Sequence, residues 1–320
     1  MMNISVAEER GRMNEPDFLK CVCICLMVAF HLVFIEDRYP YVKDIVYTFH
    51  MPVFLLLSGY FARADRPLSR LLRSQFRLFV PYAVMEVAYV LASTVFPVRG
   101  AEKELSVEGI LSHVFLDPMG PYWYLHTLII CNLLYGFVRK MTLRIGRLDF
   151  LLLLTGMMAA VACVAGCLSE MSVLYYMVGV VLSQSGVRFA ALFRPSLLAM
   201  PAFGILCLFP GNLKAFSLAG LLITYCAVSM ILWISFRMPN ALRSVMLFVG
   251  RNTLPVLLFS PVFTQISKHL LPWFRFDPSG LLLGGLATLV AVAGSLCIAG
   301  VLDRLHLSAC MFGRKRLLSD

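Results

Sequence analysis

Two ionisable side chains, Lys20 and His31, stand eleven residues apart in the first apolar stretch of the chain. At 3.6 residues and 5.4 Å per helical turn they share one face of a helix, roughly 16 Å apart along its axis. Histidine suits proton transfer near neutral pH, and lysine offers a fixed positive charge for an anion. Both are costly to place in lipid unless they face a cavity. The pair therefore predicts a functional polar track, with His31 as its general base.

The composition indicates the kind of helix that must carry this pair. Of the 320 residues, 60% are hydrophobic and 14% are charged, and the mean hydropathy is +0.81. A soluble domain of this length is far less apolar, so the sequence predicts a polytopic protein of the lipid bilayer. Lys and Arg number 28 against 18 Asp and Glu. These cations are scattered between apolar runs, which argues against nucleic acid as a partner.

The apolar runs predict an all-α bundle of about ten transmembrane helices. Their approximate bounds are 17–35, 45–62, 78–96, 121–138, 149–168, 172–187, 193–210, 215–236, 246–268 and 280–302. With a cytoplasmic N-terminus, the 28 basic residues divide 21 inside against 7 outside, as the positive-inside rule requires. We therefore expect both termini in the cytoplasm, a cytoplasmic segment 1–16, one membrane domain 17–303 and a basic cytoplasmic tail 304–320.

This topology gives the remaining polar residues their depths. His31, His50 and His126 would all lie roughly 7–9 Å below the outer surface by helical rise. A shared layer favours function for His31, whereas His50 and His126 could equally be interfacial histidines that bond a backbone carbonyl. Glu86 lies near the middle of the predicted third span. An intramembrane acid is a candidate site residue, and a structural hydrogen bond is the alternative.

Other patterns have simpler interpretations. Cys21, Cys23 and Cys25 alternate, and on a helix alternate side chains point about 200° apart, so packing is favoured and no metal site is predicted. Ser58 and Gly59 lack the second glycine of a nucleophile elbow, which favours close helix packing at Gly59. Trp123 fits either an interfacial aromatic belt or stacking on a sugar ring.

Several short motifs occur in a characteristic order along the chain. They are Asp17-x-x-Lys20-x10-His31, Phe49-His50-Met51-Pro52-Val53-Phe54, Ser58-Gly59-Tyr60-Phe61, Arg77-Leu78-x-x-Pro81-Tyr82, Trp123-Tyr124-Leu125 and Gly250-Arg251-Asn252-Thr253-Leu254. Together they resemble the membrane acyltransferase-3 family. The resemblance implies a bacterial inner-membrane protein of about ten helices. It also implies transfer of an acyl group, usually acetyl from acetyl-CoA, to hydroxyls of surface glycans or glycolipids, with no bound cofactor.

The chemistry of such a transfer assigns roles to the polar residues. The acceptor hydroxyl needs a base, for which His31 is the candidate. The donor's phosphates cannot enter lipid, so they should stay at the cytoplasmic mouth. The basic residues expected there are Lys20, Arg70, Arg73, Arg77 and Arg251. Side chains expected to support the site or to face the acceptor are Asp17, His50, Ser58, Glu86, Trp123, His126 and Asn252.

The sequence departs from the family pattern at three places. Lys20 replaces an arginine of many members, which keeps the charge and loses the planar fork. Ser74 stands where the first of two paired arginines is expected, and Ser260 replaces a histidine common in relatives.

Two other functions remain open at this stage. A transporter or lipid-linked glycan flippase also has about ten helices with buried polar residues, although the chain lacks an inverted repeat. An inactive assembly partner would keep the fold without the chemistry. Acetyl is the group that the resemblance implies, and succinyl or another short acyl group fits the same residues.

Overall fold

The computed structural model describes residues 13–63, 66–95, 106–142, 145–313 and 316–319. Most of the predicted N-terminal segment and residues 314, 315 and 320 of the predicted tail lie outside these ranges. Every regular element within them is helical, which confirms the all-α class. The α-helices are α1 (Asn14–Phe30), α2 (Val33–Glu36), α3 (Pro40–Phe61), α4 (Leu68–Ser93), α5 (Val107–Phe115), α6 (Trp123–Met141), α7 (Arg147–Ala165), α8 (Glu170–Ser185), α9 (Phe189–Leu192), α10 (Ala199–Cys207), α11 (Leu218–Arg237), α12 (Asn240–Arg251), α13 (Thr253–Ser267), α14 (Leu281–Arg304) and α15 (Leu307–Phe312). Short 3₁₀ segments occur at Gly120–Tyr122, Pro210–Asn212 and Lys268–Phe274.

Five of the described helices, α3, α4, α7, α11 and α14, are long and apolar enough to cross a membrane. A sixth span results if α12 and the segment Thr253–Phe274, which meet at an angle of 85°, count as one broken span. The chain is therefore a helical membrane protein. About ten spans, and two cytoplasmic termini, stay predictions. The described helices include fewer than ten candidate spans because some predicted spans are short helices, such as α8 with 16 residues and α10 with 9.

Helix α1 lies at the centre of the bundle. It packs against α3, α11, α12, α13 and α14. Leu19, Cys23 and Val28 on α1 are completely buried, as expected of a helix that is apolar on nearly all sides. The helix that carries Lys20 and His31 therefore runs through the interior, where these side chains can only face protein or a cavity.

Glycines allow two pairs of helices to approach each other closely. A Cβ added to Gly59 would lie 2.0 Å from the carbonyl oxygen of Tyr176, and one added to Gly179 would lie 2.1 Å from that of Leu56. Helices α3 and α8 thus cross in backbone contact, which confirms the packing interpretation of Gly59. On α12, a Cβ added to Gly250 would lie 1.7 Å from the backbone carbonyl oxygen of Asp17. This contact holds the end of α12 against the beginning of α1.

Helix α4 begins ten residues before the predicted start at 78. Pro67 occupies its N-cap, and the next three turns carry Arg70, Arg73 and Arg77. All three arginines are exposed, so their long side chains can reach water while the backbone stays helical. Residues expected in a cytoplasmic loop therefore lie on a helix that continues into the apolar bundle.

The predicted topology can be tested with two cysteine substitutions in exposed segments. Arg66 precedes α4 and Lys214 precedes α11. The positive-inside partition places Arg66 inside and Lys214 outside. We expect a membrane-impermeant maleimide, added to intact cells, to label Lys214→Cys and to label Arg66→Cys only after the cells are opened. The parent protein, with its ten native cysteines, supplies the background. Labelling of both positions from one side would contradict the odd number of spans, five, that is predicted between them.

Candidate functional site

His31 lies where α1 ends. Its backbone N–H donates to the carbonyls of Met27 and Val28, at 3.1 and 3.2 Å. Its ring Nδ1 lies 2.7 Å from the Met27 carbonyl oxygen. A carbonyl can only accept, so Nδ1 carries the proton in this hydrogen bond. The neutral ring therefore has its lone pair on Nε2, the arrangement that a general base requires.

Two cavities adjoin at His31. The first, here called the histidine cavity, has a volume of about 140 Å³, and its walls include Met27, His31, His50 and Trp123. The second, the polar cavity, has a volume of about 210 Å³ and shares Met27 and His31 with the first. The imidazole of His31 thus borders two spaces at once, one of which also receives His50 and Trp123.

A larger cavity follows on the Lys20 side. This lysine cavity, of about 320 Å³, is lined by Lys20, Ile24 and Met27 of α1. It shares Met27, Met51 and Leu257 with the histidine cavity. Lys20, Ile24, Met27 and His31 are spaced at one turn each, so one face of α1 borders the whole row of cavities. The structure places the two residues of the predicted track on the walls of adjoining spaces.

His50 is buried on α3, and its Nδ1 donates to the Val46 carbonyl at 2.8 Å. The Tyr47 ring lies between the two histidines of the cavity, with centroids 6.5 Å from His31 and 5.1 Å from His50. Tyr47 stands one turn before His50 on the same helix, so helical spacing was the signal that could have identified it.

His126 occupies a different place. Its Nε2 donates to the Phe115 carbonyl at 2.9 Å, and its ring lies 6.0 Å from that of Tyr82. His126 is not among the residues that line the histidine or polar cavity. The structure therefore brings His31 and His50 together, whereas His126 joins α6 to the end of α5.

The beginning of α1 carries a charged cluster. Lys20 Nζ lies 2.9 Å from Asp17 Oδ1, and Arg251 Nε lies 3.6 Å from Asp17 Oδ2. Arg251 also reaches Asn14 Oδ1 at 3.5 Å. The Asp17 side chain is largely buried, and one carboxylate thus holds two cations beside the lysine cavity.

The arginines of α4 have different surroundings. None of Arg70, Arg73 and Arg77 lines the lysine cavity, but Leu78, which follows Arg77, does. Arg77 lies against Gly313, where an added Cβ would come within 2.9 Å of its Nε. Among the predicted donor-binding residues, the structure therefore groups Lys20 with Arg251 and sets the three arginines apart on an exposed helix surface.

Two other predicted residues, Ser58 and Glu86, make specific hydrogen bonds. Ser58, on the wall of the lysine cavity, donates to Phe54 O at 2.8 Å and lies 2.8 Å from the Tyr124 hydroxyl. Buried Glu86 accepts the Met119 N–H at 2.6 Å, which is the structural alternative considered above.

Asn252 anchors the C-terminal tail at the bend between α12 and α13. Its amide donates to Ser319 O at 2.9 Å, and its side-chain oxygen accepts from Ser319 N at 2.7 Å. An amide whose two ends are already bonded to the tail supports the fold of the bend more directly than it could hold a ligand.

The polar cavity has walls that the sequence reasoning missed. Ser260, Thr264 and Lys268 line it at intervals of four residues along α13 and the following 3₁₀ segment. This polar stripe within an apolar run was a readable signal. Gln265 and Glu36 also line this cavity. The Glu36 carboxylate forms an ion pair with Lys43 at 2.7 Å. Ser260, the residue that the family resemblance sets in place of a histidine, thus borders the same space as His31.

The apolar helical bundle thus encloses a row of adjoining cavities with polar side chains at both ends. Residues 13–302 match the model of the family described as acyltransferase domain. Because the match covers nearly the whole chain, the protein belongs to the acyltransferase-3 family and is a membrane acyltransferase. Membership favours this class over the transporter alternative. No curated protein and no solved structure matches the chain significantly.

Proposed function

We propose that this acyltransferase moves a short acyl group, acetyl in the first instance, from cytoplasmic acyl-CoA to a hydroxyl of an extracytoplasmic glycan or glycolipid. Its location would be the bacterial inner membrane. The observation that carries the proposal is the row of adjoining cavities along α1, which begins at Lys20 and ends at His31. One end offers cations and the other a base, as a reaction with a phosphorylated donor and a hydroxyl acceptor needs.

The donor enters at the Lys20 end in this proposal. Lys20 and Arg251 meet the phosphates of the nucleotide, since a lysine ammonium has three donors and can bind a phosphate while it contacts Asp17. Arg70, Arg73 and Arg77 supply further positive charge on the α4 surface. The lysine cavity is walled mainly by apolar side chains, which suits the uncharged pantetheine arm. The roughly 16 Å of helical rise between Lys20 and His31 is about the length of that arm when extended.

The reaction then takes place at His31. Nε2 accepts the proton of the acceptor hydroxyl while the oxygen attacks the thioester carbonyl. The carbon–sulfur bond breaks, the departing thiolate takes the proton from the imidazolium, and an ester and free CoA result. The Met27 carbonyl keeps Nδ1 protonated throughout, so the ring cannot turn its lone pair away without losing that hydrogen bond.

The acceptor occupies the polar cavity. Ser260, Thr264 and Lys268 offer hydrogen bonds to sugar hydroxyls, and His50 and Trp123 border the adjoining space. Trp123 is then placed to stack on a sugar ring, as aromatic side chains can.

The experiment uses purified protein in vesicles with radiolabelled acetyl-CoA and the surface glycan of cells that lack the protein. Labelled glycan should form together with an equal amount of free CoA thiol. Release of thiol without labelled glycan would contradict the glycan as the acceptor. Failure of both, with folded protein, would favour the inactive assembly partner.

A further inference from the structure

An apolar groove runs between α4 and α13. It has a volume of about 280 Å³ and is separate from the lysine cavity. Ala88, Tyr89 and Ala92 form the α4 side, and Val262 and Ile266 form the α13 side. Because the alanine side chains are small, the two helices leave a concave space where larger residues would fill the gap.

The floor of this groove is fixed. Tyr122 is buried beneath it and donates to Leu258 O at 2.9 Å. The Tyr89 ring meets the Tyr122 ring edge to face, with centroids 5.7 Å apart. Two anchored aromatic rings therefore give the groove a defined shape.

The rim of the groove faces outward. Val262 is 48% exposed and Ile266 is 55% exposed, and both helices belong to candidate spans. In a membrane protein, such side chains meet hydrocarbon rather than water. The lining is mainly apolar, with polar groups at Gln265, His269 and the two tyrosine hydroxyls, so a hydrocarbon chain is the ligand that suits most of the groove.

The groove adjoins the cavity that contains His31. Tyr89, Pro261 and Gln265 line both the groove and the polar cavity that contains His31. The Gln265 side-chain oxygen accepts from Lys268 Nζ at 2.7 Å, so the wall changes from apolar to polar at this residue. A molecule that fills both spaces must have a hydrocarbon tail joined to a polar head.

From this shared wall we infer that the acceptor is a glycolipid, whose hydrocarbon tail lies in the groove between α4 and α13 while its sugar occupies the polar cavity. The inference rests on the proposed function for the reaction at the sugar. An ordinary diacyl phospholipid such as phosphatidylcholine fits less well, since its head group has no hydroxyl to place against His31. A soluble glycan would leave the groove unused.

The groove contributes orientation rather than hydrophobic affinity. A tail that leaves the groove enters lipid, which is equally apolar, so no hydrophobic free energy is gained or lost. Confining the tail does limit the positions of the sugar, and a hydroxyl held near a base reacts faster than a freely moving one.

Photocrosslinking in vesicles tests the occupant without any need for catalysis. Two probes carry the same diazirine at mid-tail, octadecyl glucoside and phosphatidylcholine. The ratio of glucoside labelling to phospholipid labelling should be about tenfold higher in peptides of the groove than in peptides of the lipid-exposed face of α7. A factor of about ten corresponds to one net hydrogen bond between the glucoside head group and the protein. Ala88→Phe and Ala92→Phe should abolish this excess by filling the groove. Ala159→Phe, an exposed alanine on α7, should leave it unchanged. Equal ratios on the two surfaces would overturn the inference.

Activity provides the second readout. The amount of acylated acceptor that forms measures transfer. Ala88→Phe should reduce transfer to an acceptor with a hydrocarbon tail on the order of tenfold, because the tail can no longer hold the sugar in place. It should not reduce transfer to the same sugar with a methyl aglycone. Equal rates for both acceptors in the wild type would overturn the groove assignment and leave the proposed function intact. Selective groove labelling without transfer to either acceptor would overturn the proposed function instead, and would leave the groove as a glycolipid site.

Discussion

His31→Ala is expected to leave the protein folded in the membrane and to abolish acyl transfer. The substitution removes the proposed base, and general-base catalysis typically contributes about 10²–10⁴-fold to a rate. The lost Nδ1 hydrogen bond is a small structural change, because the Met27 carbonyl also accepts the His31 backbone N–H. Transfer of label from acetyl-CoA to glycan, normalised to the amount of folded protein, measures the effect.

Two further variants separate the base from its surroundings. His31→Gln keeps a polar side chain of similar length without a basic nitrogen, and it should be as inactive as the alanine variant. His306→Asn removes an exposed imidazole whose backbone φ of +58° an asparagine tolerates. That control should retain full activity. More than a few per cent of wild-type transfer in either His31 variant would contradict the role assigned to His31.

Lys20→Gln is expected to raise the KM for acyl-CoA on the order of tenfold or more and to leave the KM for the acceptor nearly unchanged. A hydrogen bond with a charged partner contributes about 1.5–3 kcal/mol to binding. Because only the donor loses this contact in the variant, the KM for acyl-CoA rises and the KM for the acceptor does not. Lys20→Arg should keep or improve donor binding, because the guanidinium fork suits phosphate. Initial rates over a range of acyl-CoA concentrations, and then over a range of acceptor concentrations, give the two constants.

The ion pair with Asp17 is the alternative role for Lys20. If the pair only anchors α1, Lys20→Gln should lower protein abundance and leave the donor KM unchanged. Arg251 Nε also lies 3.6 Å from Asp17, so Asp17 keeps a cationic neighbour in the variant and the loss of stability should be small. Lys140→Gln, an exposed lysine at the end of α6, is the matched control and should change neither quantity.

The sequence alone was sufficient for the properties that depend on local composition and spacing. Apolar runs identify helices and a membrane protein because burial of backbone polar groups in lipid requires helical hydrogen bonding. The eleven-residue interval places Lys20 and His31 on one face because helical geometry fixes it. The ordered motifs identified the family, and the packing role of Gly59 followed from its place beside Ser58 in an apolar helix.

Tertiary packing decided everything that depends on which helices are neighbours. Arg251 joins Lys20 because Gly250 lets α12 approach α1 at Asp17. His50 reaches the His31 cavity and His126 does not, although the sequence placed all three in one layer. Depth along a helix is a local property, whereas the direction of a side chain towards a given cavity depends on how the helix is rotated against its neighbours. For the same reason, the cavity that the polar stripe of α13 borders and the groove beside Ala88 depend on how α4, α13 and the end of α1 pack together.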